Sequence, residues 1–321
     1  MLINLLGPIE IIDHDRQIRL VGNGQRVVIA SLAADHGKIV PVERLATALW
    51  GSNPPASART KIQAHVSAVR QAIGCGVRDA NSPLLTIPPG YMLSREDTQT
   101  DVAKFDVLAG RGSAAAEAGQ PGMASSLLGD ALMLWRGAAF ADVGAPPIRA
   151  AAKVLEERRL LAAETKAEAD LALGRWGTMV TELSALLISY PLRERLRGLL
   201  MRALHGLGCR ADALSVYRAG HQLMMEELGL EPSAWLRGQY RRILADEPEP
   251  SSDPHGGFGG AELRSALLPW SQPREWPIHT AVTATMGHSR GSRDTAPVEV
   301  KAVIRSGTVE LRKALGNTIV V

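Results

Sequence analysis

Along the first 93 residues the spacing of apolar side chains changes period twice, and that alternation limits the fold more than any other feature of the chain. Three short β-type runs come first, at residues 3–6, 9–12 and 18–21. Gly7-Pro8, the polar residues 13–17 and Gly22-Asn23-Gly24 separate them as turns. The period then lengthens to that of a helix. A helix is expected over residues 25–36, with Val28, Ile29, Leu32 and Ala33 on one side and Gly37 as its stop. Pro41 opens a second, whose Val42, Leu45, Ala46, Leu49 and Trp50 form the stripe of a half-buried helix. A third runs from about Ser57 to Ile73, with Gly74 beyond it. Residues 84–87, Pro88-Pro89-Gly90 and residues 91–93 return to strand, turn and strand.

Strands, three helices and a closing hairpin make a winged-helix pattern, and the third helix carries its chemistry. At about 100° per residue, Ile62, Val66, Val69 and Ile73 fall in one narrow sector that must pack inward. The opposite face carries Ser57, Thr60, Lys61, Ala64, Ser67, Ala68 and Gln71. Arg59, Gln63 and Arg70 share one flank, and His65 lies on the other. A helix enters the DNA major groove only with a slim face that presents donors and acceptors. Lys61, Arg59 and Arg70 suit phosphate or guanine, and Gln63 or Gln71 suits adenine. The hairpin tip, Pro89, Gly90 and Tyr91, is the candidate contact to the neighbouring groove or backbone, although its turn has no basic residue. Alone, such a face also fits an ordinary solvated helix; the helices and hairpin around it favour a groove reader.

Charge is distributed to match. The 321 residues hold 36 Lys+Arg and 33 Asp+Glu, and the excess of +3 falls entirely within residues 1–96, where ten basic residues meet seven acidic ones. Residues 97–246 and 247–321 are each balanced. Only 13 residues are Phe, Trp or Tyr, too few for a base-stacking platform. Cys75 and Cys209 make neither a disulfide framework nor a zinc cluster. No stretch approaches the ~20 apolar residues of a membrane span, and the N-terminus lacks a basic leader, so a cytoplasmic protein without a membrane partner is expected.

Residues 97–246 read as almost all helix, rich in Ala, Leu, Glu and Arg, with breaks at residues 119–122 and at Tyr190-Pro191. Leu173-Gly174-x-Trp176 and Leu207-Gly208-x-x-Ala211 place two glycines 34 residues apart, the tetratricopeptide period. Residues 247–260 are a Pro/Gly/Ser-rich linker. Beyond it, Val298, Val300, Ala302 and Ile304 alternate with polar residues ahead of a Ser306-Gly307 turn, which allows a hairpin within a largely disordered tail. The expected fold is mainly α with a small β component: a winged helix-turn-helix in 1–96, a tetratricopeptide-like helical domain in 97–246, and a linker and tail in 247–321.

These segments resemble one family throughout. LLGPIEI from Leu5, ALWGSNPPAS, IQAHVSAVRQAIG and PPGYML are similar to the Streptomyces antibiotic regulatory protein (SARP) type of transcriptional activator. So are LMLWRGAAFADV, LEERRL, ADLALGRW, YPLRERLRGLLMRAL and MEELGLEPSAWLRGQYRRIL, which extend the resemblance to Asp246. The resemblance implies an OmpR-type winged helix that binds direct repeats in double-stranded promoter DNA, often as side-by-side dimers. It also implies a helical bacterial transcriptional activation domain and recruitment of RNA polymerase to secondary-metabolite genes. Gln63, His65, Val66, Ser67 and Arg70 match the family's groove helix, whereas Ala68 and Gln71 stand where it usually has basic residues and Thr60 where it commonly has asparagine. The loop with Ser52, Asn53, Pro54 and Pro55 matches the one through which OmpR-type activators touch polymerase. With no receiver domain ahead of Met1, control by aspartate phosphorylation is not expected.

Catalysis and cofactors find no signature. The eight histidines form no HExxH, there is no GxSxG, and no GxxxxGK[ST] accompanies Gly256-Gly257-Phe258-Gly259-Gly260, so no cofactor is expected. The remaining alternative is a helical protein-interaction module whose winged fold has lost DNA binding, given the missing basic residues at Ala68 and Gln71.

Overall fold

The computed structural model describes residues 1–13, 16–74 and 82–246, and the backbone of 300–305, 308–313 and 318–320. Cys75 lies outside the described residues. Three strands open the chain: β1 (Leu2–Asn4), β2 (Glu10–Asp13) and β3 (Arg16–Ile18), paired antiparallel with Ile3 opposite Ile11 and Ile11 opposite Ile18. Those three isoleucines bury one face of the sheet. The third strand begins earlier than the apolar run at 18–21 suggests. Val21 is 76% exposed, its N–H donating to Gln25 Oε1 at the start of the next helix.

Three helices follow: α1 (Asn23–Ala34), α2 (Val42–Trp50) and α3 (Ala58–Ala72), with a two-residue strand β4 (Val40–Pro41) before α2. Then come β5 (Leu84–Ile87) and β6 (Gly90–Leu93), and the second sheet has the order β4-β6-β5. Gly90 is required where it stands. A Cβ there would lie 1.9 Å from the Val40 carbonyl oxygen, so only glycine lets β6 pair so closely with β4.

The first compact unit spans Met1–Leu267, and its described residues from Asp101 to Asp246 are mostly helical. A short strand β7 (Gln99–Thr100) runs parallel to β1, and Thr100 caps α4 (Asp101–Glu117) by accepting from the Ala103 N–H. There follow α5 (Pro121–Met133), α6 (Pro146–Ala172), α7 (Trp176–Ser189), α8 (Glu194–Gly206), α9 (Arg210–Leu228) and α10 (Ala234–Leu244). Gly174 and Gly208, the pair read from their spacing, both sit at positive φ (73° and 76°) just past the ends of α6 and α8.

No gap in packing separates residue 96 from residue 97. One hydrophobic core runs from Ile3 to Ala169, and Phe105 meets Trp135 edge to face at 5.6 Å within it. Asp101 accepts hydrogen bonds from the N–H groups of Leu5 (2.7 Å) and Leu6 (2.9 Å). The loop after α5 completes the seam: Arg136 N–H donates to Leu6 O (2.7 Å) and Phe140 N–H to Leu5 O (2.9 Å). Burial pushes the Asp101 carboxyl up from its ordinary value, against the lowering effect of those N–H donors and of Arg136.

A second compact unit spans Leu268–Val321. Within it β8 (Val300–Arg305), β9 (Thr308–Lys313) and β10 (Thr318–Val320) form an antiparallel sheet of order β10-β9-β8. The hairpin anticipated from the alternation is there, with Ile304 opposite Val309. The linker and the Ser306-Gly307 turn lie outside the described residues.

Candidate nucleic-acid interface

α3 is held from beneath. Ile62, Val66 and Val69 are at most 1% exposed, and Ile73 beyond the helix end is also buried. Their spacing puts all four on the side facing α1 and α2. The opposite side is open to solvent: Arg59, Thr60, Lys61, Gln63, Ala64 and Gln71 are exposed, and Ser67 and Ala68 are half-buried beside them. Neither Arg59 nor Lys61 is ion-paired to a described residue, so both charges are available. Small residues at Thr60, Ala64, Ser67 and Ala68 keep the centre of this face slim. The approach loop behaves likewise: Ser52, Asn53 and Pro54 are exposed and Pro55 is half-buried.

Arg70 is a correction. Counted by sequence among the outward cations, it is only 7% exposed. Its Nε and Nη2 both donate to Leu84 O (3.0 and 2.6 Å), and Nη2 also donates to Thr86 Oγ1 (2.8 Å). The guanidinium therefore ties α3 to strand β5 and presents nothing to a groove. The physical reason is the hairpin: β5 lies against the flank of α3 that Arg70 occupies, and its Leu84 carbonyl, which also accepts from Ser82 Oγ (3.3 Å), takes the fork. Gly90 and Tyr91 are corrected too. Both are buried in the β4–β6 pairing, Tyr91 being 6% exposed, so of the three turn residues named from sequence only Pro89 reaches solvent. Pro89 O accepts from the Val42 N–H, which fixes the turn to the start of α2.

The sequence reading missed Arg16. Its side chain is exposed and Nη2 donates to Ala72 O (3.3 Å), which adds a cation at the C-terminal end of α3. No local signal marks it, because the two residues lie 56 positions apart.

Residues 100–244 match the family model described as "Bacterial transcriptional activator domain". Over 255 residues the chain is 38% identical to Regulatory protein DnrI of Streptomyces peucetius, an alignment covering 77% of this chain and 93% of that protein. It is 36% identical over 250 residues to Transcriptional regulator RedD of Streptomyces coelicolor, covering 77% and 71%. Among solved structures, Mycobacterium tuberculosis EmbR in complex with a low affinity phosphopeptide superposes with a TM-score of 0.73 at 35% identity, over 77% of this chain and 65% of that one. The chain belongs to the SARP family of transcriptional activators.

As a SARP-family protein it is a transcriptional regulator, and members of the family act on promoter DNA and RNA polymerase. Among the described residues, no cluster of His, Cys, Asp or Glu could hold a metal ion, and no helix is long and apolar enough to cross a membrane. In the helical part some charged side chains are turned inward, Glu164, Asp170 and Arg197 among them. Asp170, 1% exposed, accepts from Ser125 Oγ (2.6 Å), Arg175 Nη1 (2.7 Å) and Lys166 Nζ (2.8 Å), linking α5, α6 and the turn before α7. Burial alone would raise its pKa, but these donors outweigh it and hold the carboxyl below its ordinary range.

Proposed function

We propose that residues 1–96 act as an OmpR-type winged helix, with α3 in the major groove of promoter DNA and the β5–β6 hairpin as its wing. The observation that carries this is the exposed face of α3. It is narrow, bears the cations Arg59 and Lys61, neither ion-paired to a described residue, with the amides Gln63 and Gln71 beside them, and stands on a fully buried opposite face. Thr60, Ala64 and Ser67 allow the close approach that base-edge contact needs, Arg16 sits at the C-terminal margin of that face, and Pro89 is the exposed residue of the hairpin turn. The loop Ser52–Pro55 is the surface offered to RNA polymerase. Residues 97–246 form a tetratricopeptide-like body that takes part in that recruitment, and two copies bind side by side on direct repeats in the cytoplasm.

The genes controlled are those of antibiotic biosynthesis, a reading supported by family membership. Binding of the full chain to promoter fragments, followed by fluorescence anisotropy over a salt series, tests the DNA contact. Replacing Arg59 and Lys61 together by alanine should flatten the plot of log K against log salt by about two units, roughly one per phosphate contact. If the unaltered chain binds no promoter fragment in a salt-sensitive way, the protein is instead an interaction module on a winged scaffold.

A further inference from the structure

On the side of the molecule where the β5–β6 hairpin joins the rest of the chain, an open cleft of about 780 Å³ lies between the end of α1 and the first turns of α4. Its volume falls in the range of roughly 300–1,000 Å³ typical of small-molecule sites. The lining has two chemistries. Val102, Ala103 and Val107 of α4 give it an apolar wall, and Val107 is 60% exposed, an uncovered β-branched side chain. Lys38, Arg95 and Lys104 give it cations, none of which is ion-paired to a described residue. The acids in the lining are already engaged: Asp35 with Arg44 (2.6 Å) and Asp106 with Arg158 (3.2 Å).

Arg95 is also held in place. Its Nε donates to His36 O (3.1 Å) and its side chain crosses Gly37, where a Cβ would come within 2.3 Å of it. That leaves its terminal nitrogens without a hydrogen bond to any described residue. Burial and the neighbouring Arg95 lower the His36 pKa, and its Nε2 lies 2.6 Å from Thr98 Oγ1. Thr98 Oγ1 donates to the Ser94 carbonyl, so the histidine Nε2–H is the donor in that contact.

We propose that this cleft binds a small organic anion, its acidic group held by Arg95, Lys38 and Lys104 and its apolar skeleton laid against Val102, Ala103 and Val107. Water alone leaves both halves of the lining unsatisfied in different ways: the valine stays hydrated and the positioned guanidinium lacks a fixed acceptor. An amphiphilic carboxylate, sulfonate or phosphate satisfies both together. The inference concerns the full chain without DNA and stands independently of the groove reading.

The probe is 8-anilinonaphthalene-1-sulfonate, titrated by fluorescence into the full chain, with N-phenyl-1-naphthylamine as the same skeleton lacking the sulfonate. The sulfonate should bind about tenfold more tightly than the neutral compound, and Arg95→Gln/Lys104→Gln should remove most of that advantage. Ala103→Trp, which fills space on an exposed helical position and leaves every cation in place, should weaken binding to a similar degree. Arg149→Gln/Lys153→Gln, beside the exposed Val154 on α6, should leave it unchanged. Thermal melts of each variant check that it folds. Equal affinity for the two dyes, or a loss in the α6 variant matching that in the cleft variants, would overturn the proposal.

Discussion

Replacing Arg70 separates a structural clamp from a DNA contact, and the two roles predict opposite readouts. In the folded chain its guanidinium makes a fork on the Leu84 carbonyl and a further bond to Thr86 Oγ1, at 2.6–3.0 Å. A hydrogen bond from a charged donor contributes about 1.5–3 kcal/mol net, and an acceptor stranded in the interior costs about 1–3 kcal/mol. The Leu84 carbonyl is the buried partner and would keep only its longer bond from Ser82 Oγ (3.3 Å), whereas Thr86 is exposed and can turn to water, so its bond counts for less. Arg70→Ala is therefore expected to cost about 3 kcal/mol of stability, including lost packing of the arginine stem. Arg70→Met, which keeps the stem, should recover about 1 kcal/mol of that. Urea denaturation reads the cost, and amide exchange in residues 84–93 should accelerate first. The slope of log K against log salt should stay as in the unaltered chain, because no phosphate contact has been removed. A variant with an unchanged urea midpoint and a slope shallower by about one unit would refute the clamp and return Arg70 to the groove.

Gly90→Ala should destabilise by more than about 2 kcal/mol, because its Cβ would sit 1.9 Å from the Val40 carbonyl, while Gly110→Ala in open space on α4 should stabilise by about 0.5–1 kcal/mol; thermal melts compare the two. His36 has a folded pKa below its ordinary 6.5 through burial and the Arg95 charge, so the unfolded chain binds the proton more readily. Stability should rise with pH between the lowered value and 6.5, and His36→Gln should flatten the stability profile in that window. Asp170 has a lowered folded pKa, so its contribution is present above 3.8 and lost as pH falls through the folded value. Asp170→Asn should cost about 3 kcal/mol at neutral pH and remove that part of the acid limb in pH-dependent urea titrations.

The helices of the first 74 residues were legible because their apolar stripes repeat at helical spacing, and the face of α3 toward the core followed from Ile62, Val66, Val69 and Ile73 alone. The hairpin was legible from Pro88-Pro89-Gly90, and the two glycines at 174 and 208 both terminate helices. Side-chain availability was not legible. On the wheel Arg70 shares a flank with Arg59 and Gln63, yet β5 covers only the C-terminal part of that flank, so one cation is buried and the other exposed. Tyr91 and Gly90 look like a turn tip in sequence; pairing with Val40-Pro41, about 50 residues earlier, encloses them. The boundary placed at residue 96 follows a change in composition, but backbone bonds from Arg136 and Phe140 to Leu6 and Leu5 cross it and carry no compositional trace.

The sequence by itself determined the three helices and closing hairpin of the first 93 residues, the helical character of residues 97–246 and the kinship to SARP activators, since periodicity, turn residues and shared motifs are properties of neighbours along the chain. The tertiary structure alone decided which cations face outward, which glycine cannot be replaced, and that the strands at the N-terminus and the helical part share one core. Each of those outcomes depends on which distant backbone carbonyl or side chain arrives beside a residue. Burial and hydrogen bonding are set by that arrival, and a helical wheel contains no information about it.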